Sequence, residues 1–241
     1  MASNPDVHPP KRPLGILLVA GPKDHGPGEH DYPRWQAAWS AALGAAPDVS
    51  VETAFVWPTA AQWRQNELAV FYLRNRDWSD AQYRDLERYL GQGTGIAMLH
   101  CAMVSSEDPS RLAGLIGISG RRPQLQFRHG AVQLDLDSRH GIVAGAQRLT
   151  LEDEAYWELT APANGVEVLA TSVEAGAAKP QMWTFQRGLG RVFGSVPGHY
   201  MTTFDLPEYR QLLARGLAWA ARVSPVQFAG IVDSPRVAVG N

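Results

Sequence analysis

The sequence predicts an α/β protein whose sheet is mostly parallel, with antiparallel strands added in the second half. Three observations carry this reading. A nearly continuous apolar run at residues 14–20 has the pattern of a strand covered on both faces, and 49–56, 68–73 and 95–99 read as further strands. Helical patterns separate them, so the chain up to about residue 118 reads βαβαβαβα, which implies a parallel sheet with helices on both sides. Beyond that point the runs shorten and turn signals crowd in, as in hairpins and edge strands.

The elements follow in order. After the strand at 14–20, Pro33 suits the first turn of a helix, and Trp35, Ala38, Trp39 and Leu43 share one face at helical spacing. The strand at 49–56 is followed by a short helix over 59–65 and the strand at 68–73. Ser79-x-x-Gln82 is a capping box. It opens a helix with Tyr83, Leu86 and Leu90 on its buried stripe, which Gly91 is expected to stop. The strand at 95–99 ends at His100. In the second half, 124–127, 131–136, 166–170, 181–185 and 191–195 read as short strands. Residues 186–190 form the hairpin turn between the last two. Asp205-x-x-Glu208 is a second capping box, opening a helix with Tyr209, Leu212, Leu213, Leu217 and Ala220 on its apolar face. Residues 1–12 read as a flexible leader, 13–222 as one domain and 223–241 as a tail.

Composition bounds the function. The chain has 241 residues, 45% hydrophobic and 19% charged, with a net charge of -2. These values suit a soluble globular protein and supply no electrostatic grip on nucleic acid or anionic lipid. No run approaches the roughly 18 apolar residues of a membrane helix, and the apolar run at 14–20 is followed by no small-residue cleavage site. A cytoplasmic protein with a small-molecule ligand is therefore expected, with no nucleic-acid or membrane partner; a homo-oligomer is allowed. Cys101 is the single cysteine, so no intramolecular disulfide forms.

The loop at 21–31 concentrates chemistry. It carries Asp24, His25, Glu29, His30 and Asp31 at the end of the first strand, and ligands of open α/β sheets bind beyond the carboxyl ends of the strands. His100 ends another strand, and His199 follows Pro197-Gly198 in a tight turn. Three distant segments thus bring imidazoles to one sheet edge. Neutral imidazole is the commonest metal ligand and moves protons near neutral pH. His25, His30, His100 and His199 are accordingly candidate ligands of a divalent metal, zinc first, with carboxylates as co-ligands or orienting groups. The His25–His30 spacing matches no standard zinc motif, and the plain alternative is a solvated polar loop with backbone-bonded histidines. Glu152-Asp153-Glu154 with Tyr156 and Trp157 reads as an acidic loop with aromatic surface, suited to a sugar or to ordinary solvent contact. Trp157 and Trp183 are candidates to line a sugar cleft. His8, His129 and His140 carry no such company and are given no role.

The segments at 93–102, 151–156, 190–200 and 209–220 together resemble the trehalose-utilisation, or ThuA-like, family, over roughly residues 14–222. That resemblance implies a flavodoxin-like three-layer sandwich akin to the class I glutamine amidotransferases. It also implies work on trehalose-like disaccharides, including routes through 3-keto sugars. The amidotransferase cysteine needs a Gly-x-Cys-x-Gly elbow and a histidine followed two residues later by glutamate. Here Leu99-His100-Cys101-Ala102-Met103 lacks both glycines, and His199-Tyr200-Met201 lacks the glutamate. Cys101 is therefore read as an inert buried thiol. The expected function is a carbohydrate-processing enzyme acting on a disaccharide or keto-glycoside by hydrolysis, elimination or isomerisation. His100, Glu154 and His199 are its catalytic candidates. Glu29, Asp31, Tyr156, Trp157 and Tyr200 are its substrate-binding candidates. A non-catalytic sugar-binding protein and a glutaminase are the alternatives.

Overall fold

The computed structural model describes residues 13–75, 78–137 and 139–234; the expected leader and the last part of the expected tail lie outside these residues. Nine strands form one mixed sheet. Five are parallel, in the order β2 (Val49–Phe55), β1 (Leu14–Ala20), β3 (Leu68–Tyr72), β4 (Gly95–Leu99) and β11 (Gly190–Ser195). This is a flavodoxin-type order. The sheet then continues antiparallel through β10 (Ala177–Arg187), β9 (Glu167–Glu174), β7 (Gln126–Leu136) and β8 (Arg148–Trp157). A separate pair joins the two-residue strands β5 (Val104–Ser105) and β6 (Gly120–Arg121).

Period-2 alternation divides the apolar runs between two cores. In β1, Leu14, Ile16 and Leu18 enter the layer under α1 (Tyr32–Gly44) and α5 (Pro207–Ala221). Leu17 and Val19 enter the layer under α2 (Ala60–Gln65), α3 (Asp80–Gln92) and α4 (Pro109–Ile116). The result is a three-layer sandwich in which both faces of the central strands are dry, which is why those strands show no polar alternation.

Sequence and structure part at five places. Helix α3 runs past Gly91 and ends at Gly93, whose φ of 103° provides the left-handed cap. The second capping box does not form: Leu206 is the N-cap of α5, and Asp205 instead pairs with Arg210 at 2.9 Å. The expected strands at 124–127 and 131–136 are one strand, because Gly130 takes a φ of 116° and bends β7 without breaking its ladder. Residues 152–157 are not a loop but the end of β8, their three consecutive acids having hidden the strand period. Part of the expected tail, Pro225–Ile231, forms a 3-10 helix that buries Phe228 and Ile231 in the core.

Two glycines test this packing. A Cβ at Gly194 in β11 would lie 2.2 Å from the buried Trp183 ring, whereas a Cβ at Gly91 meets nothing within 4 Å. Gly194→Ala is expected to destabilise the domain by about 2 kcal/mol or more through overpacking. Gly91→Ala in the helix interior should stabilise it by about 0.5 kcal/mol. Urea unfolding of the two variants checks both signs.

Candidate functional site

The carboxyl ends of β1, β3, β4 and β11 open on one edge, and four side chains converge there. His30 arrives on the loop after β1, His100 on the first residue after β4, His199 on the turn after β11, and Glu154 from β8 of the antiparallel extension. One ligand atom of each lies within 4.8 Å of the others, and all four residues are buried. Nε2 of His30 and Nε2 of His100 are 2.8 Å apart. Glu154 Oε2 is 3.3 Å from His100 Nε2 and 3.3 Å from His199 Nδ1.

Local geometry fixes each group. His100 has φ 52° and His30 φ 42°, backbone conformations that cost energy in a non-glycine residue and cluster at functional sites. Nδ1 of His100 lies 2.8 Å from the Val196 carbonyl. A proton donated there leaves Nε2 to face the cluster. His30 Nδ1 lies 3.0 Å from Asp24 Oδ1, and its backbone N–H donates to the His199 carbonyl. Gly198 has φ 143° and a Cβ there would meet Phe204 and His100, so the turn presses directly on His100.

Asp153, fully buried, holds this turn in place. Its carboxylate accepts the N–H groups of Gly198 and His199 at 3.0 Å each and of Glu154 at 2.7 Å, and also the Thr203 hydroxyl. The Gln181 amide pins β8 from the other side, bonding both the N–H and the carbonyl of Tyr156. Strand alternation then points Glu154 and Tyr156 into the site together. The Tyr156 hydroxyl donates to Glu154 Oε2 at 3.0 Å and lies 3.1 Å from His100 Nε2.

The electrostatics follow from burial. Desolvation, then the neighbouring imidazoles, lowers the His30 pKa to about 3, so this ring is neutral. Burial works against charge on His100, but Cys101 and Glu154 beside it prevail and raise its pKa well above the ordinary histidine value. Burial likewise opposes charge on Glu154, yet the adjoining imidazoles of His100 and His199 hold its pKa far below the ordinary value. The carboxylate thus stays ionised and requires one positive charge beside it. Neither ring nitrogen of His199 has a hydrogen-bond partner among the described residues, although both are buried. An orphaned imidazole facing a buried carboxylate and two further imidazoles has the donor set and spacing of a metal site.

The other expected residues are placed as follows. His25 lies on the rim, its Nδ1 2.8 Å from Asp24 and its ring 3.9 Å from that of His30; Asp24, His25 and His30 form a second convergent group. Glu29 Oε1 is 3.9 Å from His199 Nε2. Tyr200 packs its ring 4.5 Å from His199. Asp31 stands outside the cluster and caps α1 through the Arg34 N–H. Trp157 follows Tyr156 in β8 and so projects from the opposite face. Trp183 is wholly buried, donating to the Ile116 carbonyl, and lines no cleft. Cys101 is buried with Sγ 3.7 Å from His30 Nε2 and 3.4 Å from the Tyr156 hydroxyl. His129, given no role from sequence, contacts Glu154 Oε1 at 3.0 Å and the Tyr200 hydroxyl at 3.1 Å. Its signal was the direct pairing of His129 with Glu154 across β7 and β8, a register the sequence does not display.

The sequence model of the ThuA family, described as trehalose utilisation, matches residues 25–220. The chain belongs to the ThuA family. Among solved structures, a ThuA-like protein of Parabacteroides merdae shares 20% identity at a TM-score of 0.68, covering 87% of this chain and 90% of that one. A ThuA-like protein of Bacteroides uniformis shares 14% at 0.69, covering 92% and 99%. A β-galactosidase of Bacillus circulans shares 12% at 0.59, covering 86% of this chain and 31% of that larger one. These likenesses concern the fold. No curated protein matches, and no helix among the described residues is long and apolar enough to cross a membrane.

The Asp153 carboxylate generates a test. Asp153→Ala leaves several buried donors without an acceptor and should cost about 3 kcal/mol or more in urea unfolding. Asp153→Asn retains one acceptor oxygen and should cost less.

Proposed function

We propose that this ThuA-family chain is a carbohydrate-processing enzyme whose site holds a divalent metal, zinc first, on His30, His100, His199 and Glu154. The observation that carries the reading is the convergence of four buried ligand atoms, one of them on a histidine whose ring nitrogens make no hydrogen bond among the described residues. The family description supports a disaccharide or keto-glycoside as substrate, and hydrolysis, elimination or isomerisation as the reaction class.

A bound divalent ion would supply Lewis acidity toward a keto or hydroxyl oxygen. The chain's own groups would handle the proton. Glu154 Oε2 sits among the imidazoles and the Tyr156 hydroxyl, while Oε1 meets His129, whose side chain is half-exposed. Glu154 stays ionised and orients these groups, and a proton taken by a histidine of the cluster has an imidazole route to solvent through His129. A glutaminase is disfavoured by position: the strained residue after β4 is His100, not Cys101.

Elemental analysis of the purified protein, paired with a screen of 3-keto disaccharides, tests the reading. The expected content is about one ion per chain, falling at least roughly tenfold in His100→Ala and His199→Ala. Full turnover after complete metal removal would refute it. The pH dependence has a fixed sign. Because the His100 pKa is raised, its proton persists at neutral pH and an incoming ion must displace it. Metal affinity should therefore fall as pH is lowered through the histidine range, below about pH 6 most clearly, measured by competition with a chelating dye.

Cys101 provides a separate outcome. Cys101→Ser should keep metal content and at least roughly a tenth of the turnover, since the thiol borders the cluster without closing it. A loss on the order of a thousandfold, with folding preserved, would assign it a nucleophilic role.

A further inference from the structure

We propose that the cavity beside the histidine cluster recognises the anionic group of a sugar acid or sugar phosphate, through Arg74, Arg122 and the Asn75 amide. This rests on the carbohydrate reading above and narrows its substrate class. The cavity has a volume of about 420 Å³ and shares His30, Glu154 and Tyr156 with the cluster. That volume lies in the range of small-molecule sites.

Three features of the remaining wall point to an anion. Arg122 has no carboxylate partner among the described residues; its guanidinium stacks on the Phe127 ring, 4.4 Å from the centroid. Stacking fixes the plane of the guanidinium and leaves its N–H fork at the edge, the geometry that takes a carboxylate or phosphate. Arg74 reaches a carboxylate once, at 3.4 Å, on an Asp24 that also contacts His25 and His30. Asn75 is 6% exposed, and both its amide oxygen and its amide nitrogen lack a hydrogen-bond partner among the described residues. A buried amide left unpaired is costly; its Nδ2 can donate to the anionic group and its Oδ1 can accept from a hydroxyl of the same sugar.

The chemistry of these groups decides between ligand classes. Guanidinium only donates. A neutral hydroxyl can accept from such a group, but a group that carries negative charge and several acceptor oxygens pairs with two of them more strongly and can do so bidentately. A carboxylate and a phosphate share that property.

Calorimetric titration of the purified protein with glucuronic acid, glucose 6-phosphate, glucose and inorganic phosphate tests the proposal and separates the two sources. At least one charged sugar is expected to bind roughly tenfold or more tightly than glucose, with a preference that weakens at high salt. The preferred one identifies the group. Arg122→Ala, at an exposed position, should abolish that preference, and Arg74→Ala should reduce it. Equal binding of glucose and the charged sugars would overturn the anion subsite and leave the carbohydrate reading standing. Inorganic phosphate binding that depends on Arg122, without binding of any sugar, would uphold the subsite and refute the carbohydrate reading. Anion binding indifferent to both arginines would overturn the proposal, as would no binding at all.

Discussion

A carboxylate taken out of water at the junction of the two halves of the sheet is the constraint on which the site depends. Glu154 is nearly inaccessible, and an ion in that position is tolerated only where neighbours replace its hydration. The surrounding architecture supplies the replacement. Two loops of the parallel half contribute imidazoles, β7 contributes another from the side, and a tyrosine two residues along β8 contributes a hydroxyl. The neighbouring Asp153 performs the complementary task with backbone donors and so binds the turn carrying His199 to the strand carrying Glu154. Two adjacent acids, on opposite faces of one strand, thus join chemistry to scaffold.

The legible parts of this molecule were those governed by local patterns. The runs at 14–20 and 95–99 and the capping box at Ser79 were readable because burial on both faces and helix N-termini leave short-range signatures. The edge on which His30, His100 and His199 meet followed from the parallel order alone. What was not legible depended on pairing between distant strands. Glu152, Asp153 and Glu154 resemble a solvated loop until β7 is laid beside them, and only then does His129 face Glu154. The connection between those strands is long, so no turn type fixed the register. Asp31 misled for the opposite reason: in a loop dense with acids, the one that caps a helix cannot be told from those that face a ligand.

The residue following β4 also bears on how this scaffold is used. The fold places one backbone position under strain at the end of that strand, and here a histidine occupies it, with the cysteine one step further on. The same post therefore presents a proton-binding ring rather than a thiol.

The groups of the cluster lie far apart in the chain, at positions 30, 100, 154 and 199, and meet only when both halves of the sheet are complete. No partial structure offers the full set. Any species bound there selects the native state over the unfolded ensemble, and each tenfold excess of such a species over its dissociation constant deepens the native well by about 1.4 kcal/mol. Were such a species bound, the resistance of this fold to unfolding would become a function of what its surroundings contain.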